Sequence, residues 1–335
     1  MKRTNLNKIG IAFKGCGSYL PMQTLSNEQI SKVVDTSDNW IKTRTGISNR
    51  RISQISENVC EMGFRSALAA LEMANWSSDS LDLIILATST PNDLFGSAPN
   101  IQAQLKAKNA LAFDLTAACS GFLFALITAC QYLQSGSYKR ALVIGADQLS
   151  SFVNWRDRGS CILFGDGAGA MAIEASTDKD NLYGFSMRTD GVRGNFLNLS
   201  RMNKQEDIVE NIRSTKGHFN NITMNGQEVY KFAVREVPII IDQLMKVSNV
   251  NTNDIDWLVL HQANKRILDA VGERLKIENE KILSNLHKYG NTSAGTIPIV
   301  IDEYVRNKKI KNNDLLLTSG FGAGLSWGAA LFRWG

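Results

Sequence analysis

Short apolar runs alternate with amphipathic segments along most of this 335-residue chain. Runs of this kind are typical of strands that are buried on both faces of a sheet. Apolar positions over 57–75 and 234–247 predict two helices, and 9–13 predicts an opening strand. Strands that alternate with helices indicate an α/β fold. The apolar runs cover residues 81–87, 141–145, 255–260 and 315–319.

The features of the first half recur in the second half at a fixed offset. Asp82 and Asp256 each precede an apolar strand and are 174 positions apart. The same offset relates the strand at 141–145 to that at 315–319. It also carries Cys119 to position 293. Recurrence at a fixed spacing predicts two similar α/β units whose corresponding loops converge on a pseudo-twofold axis.

The predicted halves are residues 1–178, which carry the cysteine, and residues 179–335. Between them, the segment 180–221 is polar, weakly periodic and rich in Asn, Arg and Gly. We expect this segment to be a connection.

Cys119 lies at a predicted strand-to-helix junction. An apolar stretch at 112–115 leads to small residues before Cys119, and Gly121 opens a long apolar run. The free amides and the positive dipole end of a helix stabilise an anion, so we expect this position to favour a thiolate. The alternative is a small core residue, because free cysteines are commonly buried.

His261 and Asn291 follow strand ends in the second half, where ligands commonly meet α/β proteins. In such a constellation Cys119 accepts an acyl group, and His261 and Asn291 donate hydrogen bonds to a second carbonyl oxygen. That pair would stabilise an enolate, which attacks the thioester. Backbone N–H groups of Cys119 and of Ala323, in the glycine-rich turn 320–324, would hold the oxyanion.

Composition narrows the function classes. The chain is 44% hydrophobic and 21% charged with a net charge of +5, as expected for a globular protein that prefers anionic ligands. The basic residues are too dispersed to indicate nucleic-acid binding. Five scattered cysteines and three distant histidines indicate neither a disulfide framework nor a metal site. No apolar run reaches membrane-spanning length, and the start has no signal-type apolar block, so we expect an intracellular, unprocessed protein.

Six motifs, spread over nearly the whole chain, resemble the β-ketoacyl-acyl-carrier-protein synthase III family. The resemblance implies a thiolase-like five-layer αβαβα fold, usually homodimeric, that joins acetyl-CoA to malonyl-acyl-carrier protein without a cofactor. The family's catalytic cysteine, histidine and asparagine match Cys119, His261 and Asn291. The motifs are DTSDNWIKTRTGISNRR (35–51), DLTAACSGF (114–122), FGDGAGA (164–170), HQANKRI (261–267), YGNTSAGTIP (289–298) and GFGAGLSWGAAL (320–331).

The resemblance also implies contacts with CoA. Trp40, Arg44 and Arg158 match positions that hold the adenine in the family, and a ring face with guanidinium planes suits a purine. Trp40 could instead be a core aromatic. Gln227 stands where the family has an asparagine that contacts pantetheine.

Lys231, Arg235, Arg266 and Arg274 form a candidate basic face for the acidic carrier protein, with Arg266 the first choice. Scattered solvated charges are the alternative explanation.

The loop 88–99 departs from the family pattern, and its sequence DLFGSAP resembles the cyanobacterial and plastid branch. In the family this loop reaches the partner subunit's acyl pocket, so Phe95 is a candidate for shaping primer length. The expected location is a bacterial cytoplasm, or the plastid stroma if the gene is plastid-encoded.

Two other functions remain open from the sequence. A relative with the same three residues could use a different acyl-CoA, as in polyketide starter synthases, acyl-CoA condensing enzymes or 3-hydroxy-3-methylglutaryl-CoA synthase. An inactive member could serve as a binding subunit. The glycine-rich turn 164–170 lacks the lysine and serine of a phosphate-binding loop, so we expect tight backbone packing there.

Overall fold

The structure is a computed structural model that describes residues 9–335. Within that range the chain forms fifteen strands and ten helices. The strands are β1 (Gly10–Tyr19), β2 (Gln23–Ser26), β3 (Asn49–Ile52), β4 (Leu83–Ala87), β5 (Leu111–Leu115), β6 (Arg140–Gln148), β7 (Asp166–Ser176), β8 (Leu182–Thr189), β9 (Leu197–Asn198), β10 (Arg201–Val209), β11 (Ile212–Phe219), β12 (Thr223–Met224), β13 (Trp257–Leu260), β14 (Leu315–Gly322) and β15 (Ser326–Arg333). The helices are α1 (Asn27–Ile30), α2 (Asp38–Thr45), α3 (Val59–Ala74), α4 (Ala98–Leu105), α5 (Gly121–Gln134), α6 (Arg158–Cys161), α7 (Gly226–Val247), α8 (Lys265–Leu275), α9 (Leu286–Tyr289) and α10 (Thr296–Arg306).

The first sheet has the strand order β1-β7-β6-β4-β5. Its central strand β4 is buried on both faces, as the unbroken apolar run predicts. Ile84 and Leu86 pack against the outer helices α3 and α4. Leu83 and Ile85 point the other way, toward α5. The two-residue period of a strand thus lets one short run support two helical layers.

The second sheet has the order β13-β14-β15-β8 and shares the layer of α5 and α10 with the first sheet. Leu316 of β14 faces that shared layer, whereas Leu315 and Leu317 face the outer helices α7 and α8. The succession of layers is therefore helix, sheet, helix, sheet, helix. This confirms the five-layer αβαβα prediction.

The pseudo-symmetry is visible in the hydrogen bonds that precede the equivalent strands β4 and β13. The Asp82 carboxylate accepts the amide of Arg140 at 3.0 Å, and the Asp256 carboxylate accepts the amide of Leu315 at 2.7 Å. The offset is 174 at the aspartates but 175 at their partners. The turns at 118–120 and 293–295, which precede α5 and α10, also begin 175 positions apart. One added residue therefore makes Ala294, and not Ser293, the counterpart of Cys119.

The segment 180–221, which we expected to be a connection, contains four strands, β8 to β11. The segment contains β8, which pairs with β15 as the edge of the second sheet, and the hairpin β10–β11. The residues of this hairpin are almost all exposed. A strand pair without a buried face has no apolar alternation, so its sequence carries no period-two signal.

Candidate active site

Cys119 occupies a one-turn segment, Ala118–Ser120, between β5 and α5. Its neighbour Ala118 has φ of 48°, a left-handed conformation that turns the chain sharply into the helix. Cys119 is only 6% exposed. The carbon that an alanine would add at Gly322 would lie 2.7 Å from Cys119 Cβ. Glycine at 322 therefore allows β14 to approach the cysteine closely.

Burial, with a smaller contribution from the nearby Asp147 carboxylate, raises the pKa of the Cys119 thiol to about 12. The Ser293 hydroxyl opposes this by donating a hydrogen bond to Sγ at 3.4 Å. The expectation of a resting thiolate is therefore wrong, because burial of the sulfur raises the pKa of the thiol. With this pKa, Cys119 rests as a thiol at neutral pH.

His261 directly follows β13 and is 1% exposed. Its Nδ1 lies 2.7 Å from the Thr296 hydroxyl oxygen at the start of α10. The Phe321 ring contacts it edge-to-face, with ring centroids 5.1 Å apart. Burial lowers the pKa of His261 to about 3, so the imidazole is neutral at physiological pH.

Asn291 is held by its own backbone and by the glycine-rich turn. Its amide donates to the Leu163 carbonyl at 2.9 Å, and its carbonyl accepts from Gly165 at 3.0 Å. The predicted role of the turn in tight packing is thus confirmed. The Ser293 amide donates to Asn291 Oδ1 at 2.8 Å. Because Oδ1 is occupied, the side-chain NH₂ group is the part of Asn291 that is available to a ligand.

One cavity of about 100 Å³ brings Cys119, His261 and Asn291 together beneath Phe321. These residues come from both halves and from three different turns. A thiol, a neutral imidazole and a carboxamide donor on one wall can hold an acyl thioester beside a second carbonyl group.

Comparisons with known proteins identify the relatives of this chain. Residues 113–191 match the family model for 3-oxoacyl-[acyl-carrier-protein] synthase III, and residues 245–334 match the model for its C-terminal part. Two relatives from Prochlorococcus marinus, named beta-ketoacyl-[acyl-carrier-protein] synthase III, are 69% and 68% identical over 100% of both chains. The crystal structure of 3-oxoacyl-[acyl-carrier-protein] synthase III from Aquifex aeolicus is 43% identical, with a TM-score of 0.89 over 97% of this chain and 100% of that chain.

The chain belongs to the 3-oxoacyl-[acyl-carrier-protein] synthase III family. The source of these two Prochlorococcus relatives agrees with the cyanobacterial and plastid branch that the loop 88–99 resembles. Members of this family are condensing acyltransferases. The cavity around Cys119 is therefore the candidate site of acyl transfer.

The structure brings together the three residues that the family resemblance relates to the CoA adenine. The guanidinium carbons of Arg158 and Arg44 lie 4.8 Å and 5.9 Å from the Trp40 ring centroid. Trp40 is 36% exposed, which argues against the core alternative. Asn264, on the wall of the cavity, donates to the Arg44 carbonyl at 3.1 Å. One hydrogen bond therefore links this aromatic and cationic group to the wall of the cavity.

Gln227 lies at the first turn of α7 and is exposed. Its neighbours Met224 and Gly226 line the cavity, but Gln227 does not. Asn225 caps α7 by accepting the Glu228 amide at 3.2 Å, so its side-chain oxygen is engaged within the protein.

The four basic residues of the predicted docking face differ in their partners. Lys231 and Arg235 pair with the glutamates at 228 and 236 at 2.6 Å and 2.9 Å. Arg266 and Arg274 form no ion pair with any other residue in 9–335. The Arg266 guanidinium lies 5.4 Å from the ring of Tyr230, which lines the cavity.

Phe95 is fully exposed and lines a groove beside β5. A second, mainly apolar cavity of about 120 Å³ is also lined by Cys119, together with Leu149, Ile222 and Ala323. Ser89 lines both the groove and this cavity. Phe95 itself does not reach the cavity of its own chain.

Three residues around Cys119 and His261 were not predicted as part of the site. Thr296 contacts His261, Ser293 contacts Cys119, and Asp147 is fully buried beside them. Asp147 accepts the Ser89 amide at 2.7 Å and the Ala294 amide at 3.1 Å, which ties the two halves together at the axis. Only the offset from Cys119 drew attention to position 293.

Proposed function

We propose that this protein is the initiating condensing enzyme of type II fatty-acid synthesis. It joins the acetyl group of acetyl-CoA to malonyl-acyl-carrier protein and forms acetoacetyl-acyl-carrier protein, CoA and CO₂. The observation that carries the proposal is the single cavity shared by Cys119, His261 and Asn291. Family membership supports it, because the relatives named above are synthases of this kind.

The reaction has two stages. The Cys119 sulfur attacks the acetyl thioester, its proton leaves as the bond forms, and CoA departs as the thiol. Backbone N–H groups of Cys119 and Ala323 are the proposed donors to the tetrahedral oxyanion. The product of this stage is an acetyl group on Cys119.

In the second stage the malonyl thioester oxygen accepts hydrogen bonds from His261 and Asn291. Loss of CO₂ leaves an enolate on that oxygen, and neutral donors in a buried site stabilise the developing charge. The enolate carbon attacks the acetyl carbon, and the Cys119 sulfur departs and regains a proton. The thioester substrates supply all the reacting groups, so the proposed chemistry uses no separate cofactor.

The surroundings of the cavity fit these substrates. Adenine stacked on Trp40 between Arg44 and Arg158 would place pantetheine in the cavity that Tyr230 lines. Gln227 would then lie near the entrance of that cavity. Arg266 is the proposed main contact of the acidic carrier protein, with Arg274 beside it. Lys231 and Arg235 contribute less, because glutamates already neutralise them.

Reconstitution with purified components tests the activity. We expect acetoacetyl-acyl-carrier protein from acetyl-CoA and malonyl-acyl-carrier protein, and radiolabel from acetyl-CoA on Cys119. Turnover with a longer acyl-CoA but none with acetyl-CoA would overturn the proposed primer. Absence of label on Cys119 would point instead to an inactive binding subunit.

We also propose a homodimer built on the free edge of β5. This strand ends the first sheet, and Phe95 beside it is fully exposed on the monomer. In the dimer Phe95 would close the partner's apolar cavity through the opening at Ser89 and limit primer length. Light scattering tests the dimer. The acyl-CoA length profile of Phe95→Ala tests the pocket, with a shift toward longer primers expected.

Two organisational proposals follow from the same reasoning. Residues 1–178 supply the nucleophile half and residues 179–335 supply the half with the two donors. The cyanobacterial relatives favour the bacterial cytoplasm as the location of the enzyme. Among residues 9–335, no helix is both long and apolar enough to cross a bilayer.

A further inference from the structure

The tautomer of His261 decides whether it can donate a hydrogen bond to the substrate. A neutral imidazole carries one proton, so either Nδ1 or Nε2 is a donor and the other is an acceptor. The decarboxylation step needs Nε2–H. Burial keeps the ring neutral, so a second proton cannot supply the donor.

The partner of Nδ1 is the hydroxyl of Thr296, at 2.7 Å. The same hydroxyl oxygen lies 3.0 Å from the Ser293 carbonyl. A hydroxyl has one hydrogen, so it can donate fully to only one of these two acceptors. If it donates to Ser293, Nδ1 must carry the ring proton, and Nε2 presents a lone pair to the cavity.

The Ser293 carbonyl does not depend on this hydroxyl. It already accepts the backbone amide of Thr296, which closes the turn before α10. His261 Nδ1, in contrast, has Thr296 as its only hydrogen-bond partner among the described residues. Nδ1 keeps the Thr296 hydroxyl as its partner in either tautomer, and the Ser293 carbonyl stays paired when the hydroxyl proton turns away from it. The hydroxyl proton is therefore not needed at Ser293 and can be donated to Nδ1. The shorter of the two distances agrees with this assignment.

We propose that Thr296 is a positioning residue that donates its hydroxyl proton to His261 Nδ1 and thereby fixes the Nε2–H tautomer. This proposal rests on the donor role that the proposed function gives to His261. Thr296 acts through His261 and does not touch the substrate. A donor fixed in this way is ready before malonyl-acyl-carrier protein arrives.

Nitrogen NMR of protein labelled with ¹⁵N-histidine tests the tautomer directly. The chain has three histidines, so His218→Gln and His287→Gln variants assign the His261 signals by elimination. For the wild type at neutral pH we expect a protonated Nε2 and an unprotonated, hydrogen-bonded Nδ1. A protonated Nδ1 in the wild type overturns the proposal, whatever the variants do.

Thr296→Val and Thr296→Ser separate the hydroxyl from the packing of the side chain. In Thr296→Val we expect loss of the pure Nε2–H signature and about 10²-fold slower CO₂ release from malonyl-acyl-carrier protein, the usual effect of losing one oxyanion donor. Single-turnover acetylation of Cys119 should be retained, because it does not use His261. Thr296→Ser keeps the hydroxyl and should restore both the signature and the rate.

Wild-type decarboxylation in Thr296→Val would contradict the proposal. An equal loss of acetylation and decarboxylation would show a general disturbance of the site, which also contradicts it. Failure of the proposed function gives a different result, namely a wild type that makes no acetoacetyl product. The NMR assignment of His261 stays readable in that case.

Discussion

Gly322→Ala perturbs Cys119 without changing a reacting group. Residue 322 ends β14, and the added carbon would lie 2.7 Å from Cys119 Cβ and 3.0 Å from Cys119 N. Carbon atoms pack best about 3.5–4.0 Å apart, so one side must move by about 1 Å. Neither can move freely, because Cys119 lies in a buried turn and 322 in a fully buried strand.

The expected effect on acetylation is large compared with the effect on stability. Overpacking of a rigid site costs about 1–3 kcal/mol, which lowers Tm by several degrees at about 2–4 °C per kcal/mol. A displacement of about 1 Å at a nucleophile can slow its reaction about 10²-fold. The assay is single-turnover transfer of radiolabelled acetyl from acetyl-CoA to Cys119, with Tm measured on the same samples.

Gly191→Ala is the matched control, since its added carbon meets nothing within 4 Å. It should acetylate and melt like the wild type. If Gly322→Ala acetylates Cys119 at the wild-type rate, the close approach of β14 does not control the nucleophile and the reasoning fails. If it does not fold, loss of native near-ultraviolet circular dichroism will show this. In that case Gly322→Ser, whose added group is larger, should fold no better than Gly322→Ala.

The other predictions concern the same three residues. Cys119→Ser should abolish acetyl transfer but leave slow malonyl decarboxylation, since both donors remain; equal loss in the two assays would count against that division of roles. Asn291→Asp should reduce CO₂ release more than acetyl transfer, because a carboxylate repels the enolate. CO₂ release at the wild-type rate would refute the role of Asn291. Iodoacetamide alkylation of Cys119 should accelerate about tenfold per pH unit from pH ~7 to ~10, since its pKa is about 12; a plateau near neutrality would contradict a resting thiol. His261 has a pKa of about 3 when folded against 6.5 in its unperturbed state, so below pH 6.5 protons stabilise the unfolded chain. The unfolding free energy should then fall by about 1.4 kcal/mol per pH unit from this group alone. Urea titrations of the wild type and His261→Gln at about pH 7.5 and 5 measure the difference, and equal losses would refute it.

The sequence by itself determined the elements that are buried on both sides. The apolar run at β4 stands out because water is excluded from both faces of the strand, which leaves no polar residue in it. Most of α5 is buried as well, and its first ten residues are almost all apolar. The position of His261 after a strand was also readable from the sequence. The prediction that Asn291 follows a strand was wrong, because Asn291 follows the short helix α9. Local patterns could not reveal β8 or the exposed hairpin β10–β11, whose residues lack a buried face.

Only the tertiary structure decided how the site is protonated and braced. Thr296 contacts His261 across 35 positions, and Ser293 contacts Cys119 across 174. Such contacts depend on how β13, α5 and α10 pack, and no local pattern records them. Desolvation, which holds Cys119 as a thiol and His261 neutral, is likewise a property of the assembled layers. The sequence identifies the candidate reacting groups. The packing around them determines which of their atoms carry protons.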